Sequence, residues 1–308
     1  MSLLVVCPEQ DVSDWVSALE KADPGLDLQT WPRVRDARAV TAALTWQHPP
    51  GELGRFPNLK VIVSMGAGVD HILRDPDLPD VPIVRLVDPS LVQSMTEYVV
   101  LAVLNHHRQL DAYRRLQTQR RWKQLPRPRP ERLAVGIMGL GQLGAAAAQA
   151  LYHMGFGVRG WSQTPKSLTG IRAFAGDPEL ASFLAATSVL VCLLPLTPRT
   201  ENILCRRTFE QLRRGAYLIN VGRGGHLVEA DLLEALDAGQ LSGACLDVFR
   251  TEPLPAEHPF WTHPRILVTP HVSSLTDPVA VAPQVVDTCR RVLRGEPLVN
   301  TVGRERGY

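Results

Sequence analysis

Apolar and polar positions change period along this chain, and each change marks an element. Ser2–Cys7 is a continuous apolar run of strand length, and Asp11–Lys21 switches to helical spacing before Pro24-Gly25 closes it. Ala39–Trp46, Leu59–Met65 and Val81–Val87 are further short runs rich in β-branched residues, which read as strands. Strands alternating with helical stretches predict a parallel sheet with helices on its faces. From Pro89 the period becomes helical. Leu91, Met95, Tyr98, Val99, Ala102 and Val103 share one broad face, which predicts a single helix to about Leu116. Residues 121–130 end with three prolines in five positions and predict an extended connector.

A second series begins at Leu133. Strands are expected at Leu133–Met138, Gly157–Trp161, Val189–Leu194, Ala216–Val221, Ala244–Val248 and Ile266–Thr269, with an Ala-rich helix over Ala145–Met154. Six strands separated by helices are the count of a doubly wound nucleotide-binding sheet. A last helix, about Pro278 to Leu293, stops at Gly295 with arginines in its final turns, and Glu296–Val302 reads as an extended tail. A chain of 308 residues has room for about two domains. The fold class is therefore α/β, with two units.

Composition narrows the function. Lys and Arg total 33 against 31 Asp and Glu, a net charge of +2, which excludes an acidic tail and a globally basic nucleic-acid binder. Arg108–Arg132 does carry nine basic residues against Asp111 and Glu131, but with few aromatics interleaved it reads as a solvated face. The first residues lack the basic segment and length of a secretory signal. The longest weakly charged stretch, Leu133–Val158, is too glycine-rich for a membrane span. Cys7, Cys192, Cys205, Cys245 and Cys289 are scattered and odd in number, as expected of reduced thiols in the cytoplasm, and no zinc-ligand spacing occurs, so no metal is expected.

Chemistry concentrates in the second series. Gly139-Leu140-Gly141-Gln142-Leu143-Gly144 follows a strand and opens a helix, the context that makes GxGxxG a dinucleotide site. Gly139 allows the tight turn, Gly141 lets a pyrophosphate approach and Gly144 lets helix and strand pack closely. About twenty residues on, where an NAD enzyme places an acid on the ribose, the chain has Ser162, Gln163, Thr164 and Lys166. Hydroxyls and a cation there favour a 2′-phosphate, so NADP(H) is the expected cofactor and NAD(H) the alternative.

Arg223, Glu252 and His271 each fall just after a predicted strand, where open α/β sheets bind ligands. Reduction of a 2-keto acid needs a proton donor that titrates near neutrality, which suits His271, and a carboxylate beside it, which suits Glu252. A fixed bidentate cation for the substrate carboxylate and developing oxyanion suits Arg223.

The chain resembles the D-isomer-specific 2-hydroxyacid dehydrogenases. The resemblance runs through Ser64–Asp70, Met95–Tyr98, Gly139–Gly144, Trp161-Ser162 with Lys166, Leu194–Thr197, Asn220–Gly224, Leu246–Phe249, Glu252–Pro255 and Thr269–His271. It implies two Rossmann-like domains: a flavodoxin-like substrate domain from residues 1–98 and 275–308, and an inserted dinucleotide domain over 99–274. It assigns Arg223, Glu252 and His271 to catalysis. It implies cofactor contacts at Gly139, Gly141, Gln142, Leu143 and Gly144, at Ser162, Gln163 and Lys166, and at Leu194, Pro195 and Thr200. Val221, Gly222, Arg223, Asp247 and His271 complete that set. Substrate contacts fall to Met65, Ala67, Gly68 and Arg223. Trp46 is similar to a tryptophan lining the substrate pocket, and it also suits a packing role at a strand end. His226 is expected to start a helix, and His106 and His107 to be interdomain polar residues.

The expected activity is an NADPH-preferring reduction of small 2-keto acids, such as glyoxylate and hydroxypyruvate, to D-2-hydroxy acids. The competing readings are an NAD-linked D-2-hydroxyacid or phosphoglycerate dehydrogenase and a dinucleotide-sensing scaffold without catalysis. The resemblance also implies a homodimer with an arm around Trp122; net charge and hydropathy give no reason to expect a nucleic-acid or membrane partner.

Overall fold

The computed structural model describes residues 2–8, 11–126 and 129–304. The chain divides into two compact units, Met1–Ser90 with Leu275–Tyr308, and Leu91–Ser274.

The first unit runs β1 (Ser2–Val6), α1 (Ser13–Ala22), β2 (Asp27–Thr30), β3 (Val40–Thr45), β4 (Val61–Ser64), α2 (Asp70–Leu73) and β5 (Ile83–Arg85). All strand pairs are parallel, in the order β2-β1-β3-β4-β5. Strand side chains alternate between two apolar layers. Leu3 and Val5 face one, with Trp15 and Leu19 of α1 and Val281, Val285 and Cys289 of the C-terminal helix (Pro278–Arg294). Leu4 and Val6 face the other, with Leu53, Phe56 and Ile72. The C-terminal helix starts at Pro278 under an Asp277 cap and ends at Gly295, whose φ of 67° is the left-handed stop the sequence predicts. The tail then pairs antiparallel to β5 through Asn300 and Val302.

The second unit carries α3 (Pro89–His107), α4 (Leu110–Thr118), β6 (Ala134–Met138), α5 (Gln142–His153), β7 (Gly157–Ser162), β8 (Arg172–Ala175), α6 (Gly176–Ala185), β9 (Val189–Cys192), α7 (Arg206–Gln211), β10 (Ala216–Asn220), α8 (Glu229–Asp237), β11 (Leu241–Leu246) and β12 (Ile266–Val268). Its seven parallel strands lie in the order β12-β11-β10-β9-β6-β7-β8. One face packs on α3 and α5 through Met95, Val99, Val103, Ala147 and Leu151. The other packs on Phe183, Phe209, Leu232 and Leu236. Strand order reverses direction between β6 and β9, the topological switch point where such sheets bind ligands. The α/β class with two parallel sheets is as expected.

Several expectations shift. The predicted helix to Leu116 is two helices, because Gln109 turns left-handed at φ 57° and the apolar stripe facing the sheet has already ended at Leu104. α4 buries no residue; Tyr113 Oη accepts the Leu125 N–H, and the Gln109 side chain donates to the Pro126 carbonyl. Within the proline-rich connector, Arg127 and Pro128 lie outside the described residues. β2 and β8 are edge strands with one buried side chain each, Gln29 and Phe174, so neither shows the apolar run of a central strand. The predicted Ala244–Val248 strand is shifted to Leu241–Leu246; Val248 is buried beyond the strand's end, which extends the apolar run past the ladder.

Candidate active site

Every sequence-predicted residue of the second unit's site stands at the carboxyl edge of its sheet, or in a loop that leaves that edge. The glycine loop comes first. Gly139 has φ +104°, and a Cβ there would come 2.7 Å from the Leu193 carbonyl oxygen. A Cβ at Gly144 would lie 1.8 Å from the Gly139 carbonyl oxygen, so only glycine lets α5 approach β6. Gly141 is different: a Cβ there would meet nothing within 4 Å. It caps α5, whose first turn presents backbone N–H groups from Gln142 and Leu143 beside that open space. A backbone held this tightly, facing open space at a helix N-terminus, fits the pyrophosphate of a dinucleotide.

Beyond β9, Leu194 is buried and Pro195 is exposed. Thr200 braces this loop: its hydroxyl donates to the Pro195 carbonyl at 2.6 Å and accepts the Thr197 N–H at 2.9 Å. Beyond β10, Val221 is buried, and Gly222 donates to Asn220 Oδ1 at 3.3 Å. Arg223 follows, its backbone carbonyl held by the Asn220 amide and its guanidinium donating to the Gly222 carbonyl at 2.8 Å.

His226 does more than begin an element. It ends a short 3-10 turn, Gly224–His226, and is fully buried. Its Nδ1 accepts the Arg223 N–H at 3.1 Å, and Nε2 lies 3.2 Å from the Pro195 carbonyl oxygen. With Nδ1 accepting, the neutral ring donates through Nε2, so one imidazole ties the Arg223 loop to the Leu194-Pro195 loop. The spacing Arg-Gly-Gly-His was the signal available in the sequence.

The acid corner is the most tightly specified part. His271 Nδ1 lies 2.8 Å from Glu252 Oε2, while Glu252 Oε1 accepts the Phe249 N–H at 2.9 Å. Burial pushes the Glu252 carboxyl up, but the His271 hydrogen bond and charge, the Phe249 N–H and the Arg223 charge together hold it below the usual carboxylate range. Glu252 is thus an anion at neutral pH. It engages Nδ1 and leaves Nε2 as the ring nitrogen turned away from it.

Asp247 anchors the segment that carries this histidine. Its carboxylate, completely buried, accepts the Thr269 hydroxyl at 2.6 Å and the N–H groups of Val272 and Ser273 at 2.9 and 2.8 Å. The Asp247 carbonyl accepts the His271 N–H at 2.8 Å. His271 itself is left-handed at φ 53°, a conformation a non-glycine residue keeps only when its surroundings impose it. Tyr98 reaches in from α3, 2.5 Å from the Thr269 hydroxyl. Burial, aided by Cys245, raises its phenol, so Tyr98 stays protonated and donates. Sequence reasoning missed this framework, because Tyr98 and Thr269 are 171 residues apart.

At the other end of the edge, Ser162 is buried at the end of β7, and its hydroxyl donates to the Thr164 carbonyl at 2.7 Å. Gln163, Thr164, Pro165 and Lys166 are exposed. His106 and His107 pack on aromatics of their own unit. His106 stacks on Tyr217 with centroids 4.2 Å apart, and His107 meets Phe156 edge-on. Burial pushes His106 down to about 4, so it is neutral.

The first unit places Met65 in its core, with its N–H donating to the Thr45 carbonyl. Ala67 is exposed and Gly68 half-buried in the loop after β4. Trp46 is half-buried beneath that loop, and a Cβ at Gly66 would come 2.7 Å from its ring.

Among the described residues, no group of three or more His, Cys, Asp or Glu side chains could hold a metal ion, and no helix is long and apolar enough to cross a membrane.

Residues 100–273 match the family model described as D-isomer specific 2-hydroxyacid dehydrogenase, NAD binding domain. The chain is 43% identical over 314 aligned positions to glyoxylate/hydroxypyruvate reductase A of Escherichia fergusonii, covering all of both proteins. It is 44% identical to a D-isomer specific 2-hydroxyacid dehydrogenase from Xanthobacter autotrophicus Py2 solved with NADPH and MES, at a TM-score of 0.92, covering 100% of this chain and 99% of that one. It is 41% identical to an NADPH-dependent glyoxylate/hydroxypyruvate reductase from Sinorhizobium meliloti solved with NADP and sulfate, at a TM-score of 0.93, with full coverage of both. A family match over more than half the chain, joined to full-length likeness at this identity, settles the membership: the chain belongs to the D-isomer specific 2-hydroxyacid dehydrogenases.

Proposed function

We propose that this protein is an NADPH-preferring reductase of small 2-keto acids, glyoxylate and hydroxypyruvate among them, and that it forms D-2-hydroxy acids. The observation that carries this reading is the His271–Glu252 pair at 2.8 Å, on the same sheet edge as the Gly139–Gly144 loop. The names of the full-length relatives support the substrate class, and the NADPH and NADP bound in two of them support the cofactor.

In this reading residues 91–274 form the dinucleotide unit, and residues 1–90 with 275–308 the substrate unit. Bound NADPH supplies the hydride. Gly139–Gly144 and the α5 N-terminus would hold the pyrophosphate; Leu194, Pro195 and Thr200 would line the cofactor's path, and Val221, Gly222 and Asp247 would continue it. The exposed side chains of Gln163 and Lys166 would bind the 2′-phosphate. Ser162 shapes that turn from within, since its proton is given to Thr164.

In the dinucleotide unit Arg223 would neutralise the keto acid's negative charge; in the substrate unit the role proposed for Ala67 and Gly68, with Trp46 and Met65, is to bind a carboxylate through backbone N–H groups. His271 gives the proton on Nε2 to the carbonyl oxygen. Glu252 stabilises the imidazolium before transfer and fixes the ring through Nδ1.

The assembly is a homodimer. Leu101, Leu110 and Tyr113 are exposed on α3 and α4, and Trp122 in the segment after them is fully exposed, so apolar side chains are left for a partner copy to cover. The protein works in the cytoplasm, where its five cysteines stay reduced.

The test follows reduced-nicotinamide absorbance with purified protein, each of NADPH and NADH being paired with glyoxylate and hydroxypyruvate. Faster turnover with NADPH is the expected result. Faster turnover with NADH would overturn the cofactor preference alone. Saturable NADPH binding without turnover across a panel of keto acids would overturn the enzymatic reading.

A further inference from the structure

One ring in the first unit has no part in the chemistry above. His71 lies half-buried in α2, and its Nδ1 accepts the backbone N–H of Gln47 at 3.1 Å. Gln47 is left-handed, at φ 50°, directly after Trp46. A backbone N–H only donates, so Nδ1 carries no proton, and the neutral ring has its proton on Nε2. That nitrogen stands 3.2 Å from Ser64 Oγ. Ser64 Oγ donates to the Gly68 carbonyl at 2.7 Å and accepts the Gly66 N–H at 3.3 Å. One donor and two acceptor sites on the hydroxyl are then all in use.

The same imidazole packs on Trp46, with centroids 4.4 Å apart and planes tilted by 50°. Trp46 in turn leaves no room for a side chain at Gly66. The Ser64–Gly68 loop is therefore supported from below by an indole. It is also laced by one polar chain that runs from the Gln47 N–H through His71 and Ser64 to the Gly68 carbonyl. Ala67 and Gly68 N–H groups meet no acceptor among the described residues. Their direction is set by the carbonyl and amide on either side, which this chain holds.

We infer that His71 is a positioning residue for the substrate carboxylate, acting through Ser64 on the N–H groups of Ala67 and Gly68. This rests on the reading of that loop as the carboxylate holder. A residue with this role affects the keto acid's binding and leaves dinucleotide binding unchanged, because no dinucleotide contact is assigned to the first unit.

Steady-state kinetics of the full chain with glyoxylate and NADPH tests it, on His71→Phe, Ser64→Ala and the double variant. Phenylalanine keeps a ring against Trp46 and removes both nitrogens. Each single variant is expected to raise KM for glyoxylate by about tenfold, the scale of one lost hydrogen bond. kcat and KM for NADPH should stay within about twofold. The double variant should be no worse than either single one, because both cut the same chain. His71→Gln, whose amide restores a donor toward Ser64, should recover most of the loss. Should His71→Phe fail to fold, Ser64→Ala carries the test by itself.

Three results would overturn the inference: an unmoved glyoxylate KM, effects that multiply in the double variant, or kcat and both KM values worsening in step with a fallen Tm. Wild-type protein that turns over no keto acid would overturn the carboxylate reading and this inference with it. Active wild type with unmoved variants overturns this inference alone.

Discussion

The two ends of the second unit's sheet edge are built in opposite ways. At the β11–β12 end, Glu252 and His271 are each held by at least two hydrogen bonds, and Asp247 anchors the segment that carries the histidine with four. At the β7 end, Gln163–Lys166 is exposed, and the one buried hydroxyl, Ser162, bonds to the turn's own backbone. Proton transfer demands a donor fixed within tenths of an ångström, and burial with many partners supplies that. Recognition of a phosphate by a flexible ammonium is long-ranged and tolerant, and an exposed turn suffices. The acid corner should therefore respond to substitution with large, coupled losses, and the β7 turn with small and separable ones.

The largest loss is expected from His271→Ala. Removing the proton donor should lower kcat by roughly a hundredfold or more while NADPH binding persists. A kcat within about threefold of wild type would remove His271 from the chemistry. Asp247→Ala is the next step outward. It leaves the Val272 and Ser273 N–H groups and the Thr269 hydroxyl without their acceptor, each costing about 1–3 kcal/mol if no water replaces it. We predict a lower melting temperature together with a kcat loss of tenfold or more, because the left-handed His271 is no longer held. A variant that melts earlier but keeps full kcat would show that the anchor serves stability alone.

Glu252→Gln sharpens the same corner through pH. Burial raises the Glu252 carboxyl, and the His271 hydrogen bond and charge, the Phe249 N–H and Arg223 more than reverse this. A folded value below the unfolded one stabilises the fold above the ordinary carboxylate value of 4.5, and the contribution fades as pH falls through the lower folded value. The melting temperature of wild type should therefore exceed that of Glu252→Gln most at neutral pH, and the gap should close below the ordinary value. In kinetics, a neutral amide in place of the anion holds the His271 ring less firmly through Nδ1, so keto-acid kcat at neutral pH should fall by about tenfold. A kcat unmoved by the substitution would break the proposed coupling.

Much of this contrast was legible in the sequence, and unevenly so. Central strands such as Leu3–Val6 and Val189–Cys192 are buried on both faces, and their apolar runs stand out. The edge strands Asp27–Thr30 and Arg172–Ala175 bury one side chain each, and nothing in their composition separates them from loops. The glycine loop was readable because its backbone geometry admits only one residue type at Gly139 and Gly144. Arg223, Glu252 and His271 were readable as residue types at strand ends. What holds them was not. The Tyr98–Thr269–Asp247 chain and the His226 tie join segments far apart in sequence, and a single polar residue carries no periodic signal. The break at Gln109 was hidden for a related reason: a left-handed turn at a non-glycine residue has no compositional mark.

The smallest effect is expected at the β7 turn, and it decides whether the contrast holds. Lys166 is exposed, and a surface charge pair contributes about 0–1 kcal/mol. Lys166→Ala should raise KM for NADPH by at most about fivefold, leave kcat unchanged and leave KM for NADH unmoved, since only NADPH carries the 2′-phosphate. The effect should shrink with added salt, because an exposed pair is screened. Exposure alone makes the turn easy to alter without disturbing the fold, so Lys166→Ala and wild type should melt together. A loss of kcat, or an equal loss with NADH, would mean that the turn supports the site mechanically. The two ends of the sheet edge would then be variants of one construction, and cofactor choice would have to be sought in the backbone after Ser162.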